Sequence, residues 1–166
     1  VGFGGVLTQQ LSVFGDWPIE SNREWTSGSP EEAEYAGRVD DLLLRADECR
    51  AAAQRAVNPS RQAQLGQFFT PVRAAALVAS LPDTSRLPTT VRVLDPGAGS
   101  GMLTAAVVAR LRHERPEVRV SVTAVEKDPA LIRHLHATLA DCAVGGAVDF
   151  RIVNADYLLT GTGLMH

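Results

Sequence analysis

The sequence contains few of the residues that mark secreted, metal-binding or membrane-spanning chains. Its 166 residues include only two cysteines, Cys49 and Cys142, and no Cys/His spacing typical of a zinc site. Because the two cysteines lie in separate helical patterns, reduced thiols in a cytoplasmic protein are favoured over a disulfide. No apolar run approaches the ~20 residues that cross a bilayer. Residues 1–7 lack the basic segment of a signal peptide.

Aromatic residues make up 5% of the chain, and there is no excess of positive charge. Lys and Arg total 16 against 19 Asp and Glu, a formal net charge of −3. This mild acidity argues against a large nucleic-acid footprint on the chain by itself, because phosphate binding needs a concentrated basic surface. The 45% hydrophobic composition is ordinary for a globular protein and excludes collagen-like and wholly disordered classes.

The first part of the chain predicts an irregular arm and then helices. Ser29 and Pro30 form a helix start, with serine as N-cap and proline at the first helical position. The helix is predicted to end near Val57, before Asn58-Pro59. Its apolar residues recur at spacings of three and four, which predicts one buried stripe, formed by Ala36, Val39, Leu43 and Ala46.

A second helix is predicted from Val72 to about Leu81, with Thr70 as its N-cap. From Val91 onward, β-branched strands alternate with helices. Strands are predicted at residues 91–95, 119–125 and 148–153, and helices at 102–112 and 130–140. This alternation predicts an α/β fold with an incomplete, Rossmann-like parallel sheet of about three strands, preceded by a helical segment. We divide the chain into residues 1–60, an arm and helical segment, and residues 61–166, a ligand-binding part.

An acidic residue stands at or just beyond the end of each predicted strand: Asp95, Glu126 and Asp156. In an open parallel sheet, ligands bind beyond these carboxyl ends. Glu126 is placed to accept hydrogen bonds from two ribose hydroxyls, and Asp156 from an adenine amino group with Tyr157 packing on the ring. Glycines at 97, 99 and 101 let the backbone pass close to a ligand. The pattern indicates a site for an adenosine-containing ligand.

The glycine-rich turn narrows the choice of ligand. Gly97-Ala98-Gly99-Ser100-Gly101 lacks the third glycine of the dinucleotide fingerprint, and no Gly-Lys-Ser/Thr of a phosphate-binding loop occurs. Asp95 precedes the turn directly, where it would repel a pyrophosphate but suits a cationic group. S-adenosylmethionine, with its amino and sulfonium groups, meets this requirement.

These segments resemble the motifs of a known family. Residues 95–101, 125–129 and 154–157 resemble motifs I, II and III of S-adenosylmethionine-dependent methyltransferases. Upstream of them, Gly66-Gln67-Phe68-Phe69-Thr70-Pro71 resembles motif X of the gamma-class N6-adenine DNA methyltransferases, the class of Type I modification subunits and Type II restriction–modification methylases. The resemblance covers about residues 64–158 and implies the cofactor-binding part of a site-specific adenine methyltransferase.

The resemblance implies a role for each matching residue. The methionine end of the cofactor would be lined by Gln67, Phe68, Phe69, Thr70 and Pro71. Its amino-acid portion would be held by Asp95, Gly97, Ala98 and Gly99. Glu126 would bind the ribose, Asp156 the adenine amine, and Tyr157 would pack on the ring. No metal is implied.

The catalytic motif IV of that family, Asn/Asp-Pro-Pro followed by an aromatic residue, does not occur in the 166 residues. We therefore assign no catalytic residue and expect no methyl transfer by this chain alone. DNA would be bound through regions outside it, together with a specificity or restriction subunit, and no membrane is involved. Two alternatives stay open: a non-catalytic S-adenosylmethionine-binding or assembly module, and a methyltransferase that acts on RNA or protein.

Each predicted site residue also has a simpler interpretation. Asp95 and its glycine turn would serve as a tight strand-to-helix connection, Glu126 as a solvated strand end, and Asp156 as a helix cap. Phe68 and Phe69 would be core residues that link helix to sheet. The common register of the acidic residues favours a binding site over these interpretations.

Overall fold

The computed structural model describes residues 30–58 and 68–160. Five helices and three strands make up these residues: α1 (Pro30–Ala56), α2 (Val72–Ser80), β1 (Thr90–Pro96), α3 (Met102–Glu114), β2 (Arg119–Glu126), α4 (Ile132–Ala143), β3 (Val148–Asn154) and α5 (Tyr157–Thr160). A 3-10 turn, Thr84–Arg86, lies between α2 and β1. Among these helices, none is both long and apolar enough to span a membrane.

The three strands form one parallel sheet in the order β1-β2-β3. The expected fold class, an incomplete Rossmann-like parallel sheet preceded by helices, is confirmed in the described residues. Within the sheet, Asp95 pairs with Ala124 and Glu126 pairs with Asn154. The register therefore places the acidic strand ends side by side at one edge.

One face of the sheet carries the core. Along β2, Val120, Val122 and Ala124 are buried in one cluster with residues of α3 and α4. This follows from the strand order, because two right-handed crossovers in the same direction place both helices on the same face. On the other face, Arg92 and Ser121 are exposed.

Helix α1 packs across α3 and α4. Leu42, Leu43 and Ala46 join the core cluster, and Arg45 forms a 3.3 Å ion pair with Asp141 of α4. The predicted apolar stripe is confirmed at residues 43 and 46. The side chains of residues 36 and 39 lie outside the described part, as do residue 29 and the arm.

Three arginines near the end of α3 hold the surrounding segments. Arg110 donates to carbonyl oxygens at the end of α2, Arg112 to those at the end of α4, and Arg115 to those around the 3-10 turn. The acceptor oxygens belong to Ala79, Pro82, Cys142, Val144, Thr84 and Leu87. Carbonyl groups at helix ends have no partner within their own helix, so these contacts satisfy them.

The predicted start of α2 at Val72 is confirmed, but its predicted N-cap is wrong by one residue, and the predicted start of α4 is wrong by two. The N-cap of α2 is Pro71, not Thr70, because the Pro71 carbonyl accepts the first helical bond, from Ala75 N–H at 3.0 Å. Helix α4 begins at Ile132 instead of residue 130. The Asp128 side chain accepts the N–H of Ala130 and forms a turn that delays the helix.

Candidate functional site

A cavity of about 390 Å³ opens at the carboxyl ends of the strands. Its wall is formed by segments from five parts of the chain, which contribute Phe68, Phe69, Pro96, Gly97, Gly99, Val125, Glu126, Lys127, Asp128, Leu131, Ala155, Asp156, Tyr157 and Leu158. The upstream segment at residues 68–69 thus shares one cavity with the three strand ends.

The structure brings most of the predicted site residues together. Seven of them line the cavity: Phe68, Phe69, Gly97, Gly99, Glu126, Asp156 and Tyr157. Four others, Thr70, Pro71, Asp95 and Ala98, do not lie in its wall. Gln67 lies outside the described residues. The ligand contacts assigned to all twelve residues remain predictions.

Glu126 is a buried carboxylate that connects two turns. One oxygen accepts the N–H of Gly99 at 2.8 Å, and the other accepts the N–H of Asp128 at 2.7 Å. Only 7% of Glu126 is exposed. Its side chain therefore fixes the glycine-rich turn to the end of β2, and the simple interpretation as a solvated strand end is wrong.

The glycine-rich turn is held against β2, and its backbone conformation favours glycine at residue 101. Gly97 and Ala98 both donate to the carbonyl oxygen of Val125, which holds the turn against β2. At Gly101, the N-cap of α3, φ is +86°. A Cβ there would lie 3.1 Å from side-chain atoms of Leu135 and Thr138. Both the left-handed backbone and the close helix packing favour glycine over a larger residue.

Asp95 is buried next to this turn. The Thr104 hydroxyl donates to its carboxylate at 2.7 Å. Burial raises the pKa of Asp95, the Thr104 hydrogen bond partly offsets this, and the nearby Glu126 carboxylate raises it further. A cationic group bound nearby would relieve the cost of ionising Asp95. We call Asp95, Glu126 and the turn at residues 97–101 the inner part of the site.

The outer edge of the cavity is built differently. Lys127 contacts Asp156 across it, with 2.7 Å between Nζ and Oδ2. The Lys127 side chain is 61% exposed and that of Asp156 is 24% exposed. Phe68 and Leu158 are largely exposed on the same edge. We call these four residues, Phe68, Lys127, Asp156 and Leu158, the rim.

Asp156 also fulfils the simpler role considered for it. Its Oδ1 accepts the N–H of Leu158 at 3.1 Å, in the first turn of α5. The hydrogen bond from Lys127 lowers the pKa of Asp156, and the Leu158 N–H contributes to the same shift. Asp156 is therefore a helix cap, an ion-pair partner and a residue of the cavity wall.

The two phenylalanines of the upstream segment have different environments. Phe69 packs in a small apolar cluster with Ala53 of α1, with Val57 just after that helix, and with Leu131. Phe68 is 90% exposed. The interpretation as core residues is therefore right for Phe69 and wrong for Phe68, and α1 supports the cavity wall through Phe69 and Leu131.

Several wall residues were not predicted from the sequence, among them Lys127, Asp128, Leu131 and Leu158. One signal was available for Lys127, which is the only lysine in the sequence. The others depend on where turns fold back, and a single sequence does not show this. Across residues 30–58 and 68–160, no group of acidic, His and Cys side chains could hold a metal ion.

The cysteines take no part in the cavity. Cys49 and Cys142 are both free thiols, as expected. Burial raises the pKa of the Cys142 thiol to about 12, so this group stays protonated and unreactive.

Three relatives of this chain among known proteins are all named methyltransferases. The chain is 38% identical over 128 residues to the ribosomal RNA small subunit methyltransferase A of Nocardia farcinica, and 37% identical over 117 residues to that of Thermobifida fusca. It is 40% identical over 86 residues to the Type II methyltransferase M.BsuBI of Bacillus subtilis. The chain resembles methyltransferases. No protein-family model matches it.

The similarity covers 76%, 70% and 51% of the chain, but only 40%, 37% and 17% of those three relatives. The chain thus spans about two fifths or less of the length of the methyltransferases it matches. Among solved structures, a protein of Listeria monocytogenes described as a class I S-adenosylmethionine-dependent methyltransferase aligns with a TM-score of 0.41 and 18% identity. That alignment covers 75% of this chain and 46% of the other.

Proposed function

We propose that this chain is the S-adenosylmethionine-binding portion of a methyltransferase that modifies the N6 amino group of adenine in DNA. The observation that carries the proposal is the shared cavity: Phe68 and Phe69, from the segment resembling motif X, line it together with Gly97, Glu126 and Asp156. Packing accounts for Phe69, but not for Phe68, whose ring is 90% exposed at the cavity.

The residues present fit this cofactor. The cavity volume of about 390 Å³ falls within the range of small-molecule sites. Asp95 is buried with a raised pKa, so a nearby cation would stabilise its ionised form. Glu126 and Asp156 offer acceptors for hydroxyl and amino groups, and Phe68 and Leu131 offer apolar surface. When bound, S-adenosylmethionine supplies the methyl group carried on its sulfonium.

Each part of the chain has a defined task in this proposal. Asp95, buried behind the cavity wall, attracts the cationic end of the cofactor through its charge, and the glycine turn lets the backbone approach the cofactor. Glu126 accepts from the ribose hydroxyls while it keeps the turn in place. Asp156 accepts from the adenine amino group. The groups that would activate the target adenine are assigned to no residue of these 166.

DNA as the substrate is supported by two observations. Residues 66–71 resemble a motif of adenine-specific DNA methyltransferases, and one relative is a Type II methyltransferase. Interaction with a specificity or restriction subunit belongs to the same proposal. Ribosomal RNA is the second candidate, because two relatives are named ribosomal RNA methyltransferases.

Calorimetric titration of the chain with S-adenosylhomocysteine tests the cofactor. We expect saturable binding, with no binding of NADH as the matched control. Tighter binding of NADH, or no binding of S-adenosylhomocysteine, would contradict the proposal.

The substrate requires a second assay. Protein expressed from the full open reading frame would be incubated with radiolabelled S-adenosylmethionine and either DNA or small-subunit ribosomal RNA. We expect label in DNA adenine. Label in the RNA alone would establish the second candidate.

A further inference from the structure

The only lysine of the sequence lies at the rim of the cavity. All the other basic side chains in the total of 16 Lys and Arg are arginines. Lys127 directs its ammonium group at Asp156, with 2.7 Å between Nζ and Oδ2. A lysine presents a compact point charge, whereas arginine presents a planar fork. Lys127 therefore differs in type from every other basic residue of the chain, and it contacts one specific residue of the cavity wall, Asp156.

The backbone on both sides of this contact is tied together. The side-chain amide of Asn154 donates to the carbonyl oxygens of Glu126 and Lys127, at 2.8 and 3.2 Å. The N–H of Ala155 donates to the same Glu126 carbonyl at 3.1 Å. These bonds join the turn after β2 to the turn after β3. Lys127 and Asp156 are thus brought together by the frame of the sheet as well as by their own charges.

The Asp156 carboxylate is held at both oxygens. Lys127 donates to Oδ2, and the N–H of Leu158 donates to Oδ1. Because donors reach both oxygens, the plane of the carboxylate is fixed, whereas a single contact would let it rotate. An ionised carboxylate only accepts hydrogen bonds, so it favours an exocyclic amino group over a carbonyl oxygen at the same place.

We propose that Lys127 is a positioning residue that determines base specificity. By holding Asp156 as an oriented acceptor, it makes the cavity select a purine with a 6-amino group over one with a 6-keto group. This inference rests on the proposed function, because it assumes that the base of the cofactor reaches Asp156. It assigns to Lys127 a role that acts through Asp156.

The test compares S-adenosylhomocysteine with S-inosylhomocysteine, which differ at the 6-position of the purine. Calorimetry would give the ratio of the two dissociation constants for the chain and for K127M and K127R. K127M keeps the length of the stem without the charge, and we expect it to reduce the preference for the amino ligand about tenfold. K127R keeps the charge and should retain part of the preference.

The matched control is R86M, which removes the cation of an exposed ion pair between Arg86 and Asp83 outside the cavity. It should leave the ratio unchanged. In D156N, which loses the acceptor charge, the preference should disappear. Adding K127M to D156N should have no further effect, because Lys127 acts through Asp156.

The outcomes separate this inference from the proposal it rests on. Failure of the unaltered chain to bind either ligand would overturn both. Binding with the same ratio in K127M as in the unaltered chain would overturn only the role of Lys127. A reduced ratio in K127M that is partly restored in K127R would support it. Lys127 is exposed, so thermal unfolding should show K127M and K127R as stable as the unaltered chain.

Discussion

The inner part of the site and its rim hold carboxylates in opposite ways. Glu126 is buried and accepts from two backbone N–H groups, and Asp95 is buried against the Thr104 hydroxyl. At the rim, Asp156 is held by the backbone N–H of Leu158 and by the long, exposed side chain of Lys127. The contacts of the inner carboxylates are thus buried within the fold, whereas those of the rim carboxylate include an exposed side chain.

This difference predicts different effects of substitutions on the stability of the fold and on ligand binding. Burial of the inner carboxylates lowers the stability of the fold unless donors satisfy them, so changes there affect unfolding and binding together. The exposed rim residues Phe68, Lys127 and Leu158 contribute little to stability, so changes at these three positions should affect binding alone. Each substitution below tests this division, from the largest expected effect to the smallest.

The largest effect is expected for Gly101→Ala. The new Cβ would lie 3.1 Å from Leu135 and Thr138 in a left-handed backbone. Overpacking and backbone strain together should lower the free energy of unfolding by about 2–4 kcal/mol. Gly145→Ala is the control, because its φ is +95° but nothing lies within 4 Å of the new Cβ. Urea denaturation should show a clearly smaller loss for Gly145→Ala, and equal losses would exclude a contribution from packing.

Glu126→Gln removes one of the two oxygens that accept backbone N–H groups. A glutamine offers a single acceptor, so either Gly99 or Asp128 loses its partner. We expect the free energy of unfolding to fall by about 1–3 kcal/mol. Binding of S-adenosylhomocysteine should fall in the same variant. Glu117→Gln, at an exposed position, is the control, and similar unfolding curves for the two variants would contradict the assigned role.

Asp95→Asn should raise the stability of the fold and weaken ligand binding. The asparagine keeps an acceptor for Thr104 without the buried charge, so thermal unfolding at pH 7 should occur at a higher temperature, by about 2–4 °C for each kcal/mol gained. Binding of S-adenosylmethionine should weaken by roughly tenfold to a hundredfold, because the cation loses its partner. A variant that is both less stable and equally tight in binding would refute this account.

The raised pKa of Asp95 predicts how the stability of the fold depends on pH. Its pKa in the folded chain lies above the ordinary value of 3.8, so the folded state keeps a proton that the unfolded state releases. The stability that Asp95 contributes is present below pH 3.8 and is lost as pH rises through the raised pKa. Affinity for a cationic ligand should rise over the same range. Both trends should be absent from Asp95→Asn.

The smallest effect on stability is expected for Phe68→Ala. Phe68 is 90% exposed, so its loss should change the free energy of unfolding by less than about 0.5 kcal/mol. Ligand affinity should still fall about threefold to tenfold, because Phe68 lines the cavity and, under the proposed function, covers the bound ligand. Leu81→Ala is the control, as Leu81 is exposed outside the cavity. Equal affinities for Phe68→Ala and the unaltered chain would remove Phe68 from the site.

The sheet and the acidic strand ends were predictable because they follow local rules. β-branched runs mark the strands, and parallel strands place their carboxyl ends at one edge. Asp95, Glu126 and Asp156 were located by that argument alone. Helices α1, α2 and α3 begin at Pro30, Val72 and Met102 as predicted, whereas the start of α4 was less predictable. At Asp128, a turn formed by its side chain competes with the helix, and the sequence offers both.

The side-chain contacts within the site could not be predicted from a single sequence. Glu126 reaches the backbone of Gly99, 27 residues away, and Lys127 reaches Asp156, 29 residues away. Both contacts depend on the register between strands, which the order of residues alone does not determine. The same holds for Phe69, which packs on Ala53 of the first helix through folding of the whole chain.

The contacts made by the arginines at the end of α3 should depend little on ionic strength. Arg110, Arg112 and Arg115 donate to uncharged carbonyl oxygens in partly buried places. Dissolved ions weaken exposed pairs of opposite charges far more than such contacts. The attachments behind the site should therefore persist in concentrated salt, while the exposed bond between Lys127 and Asp156 weakens.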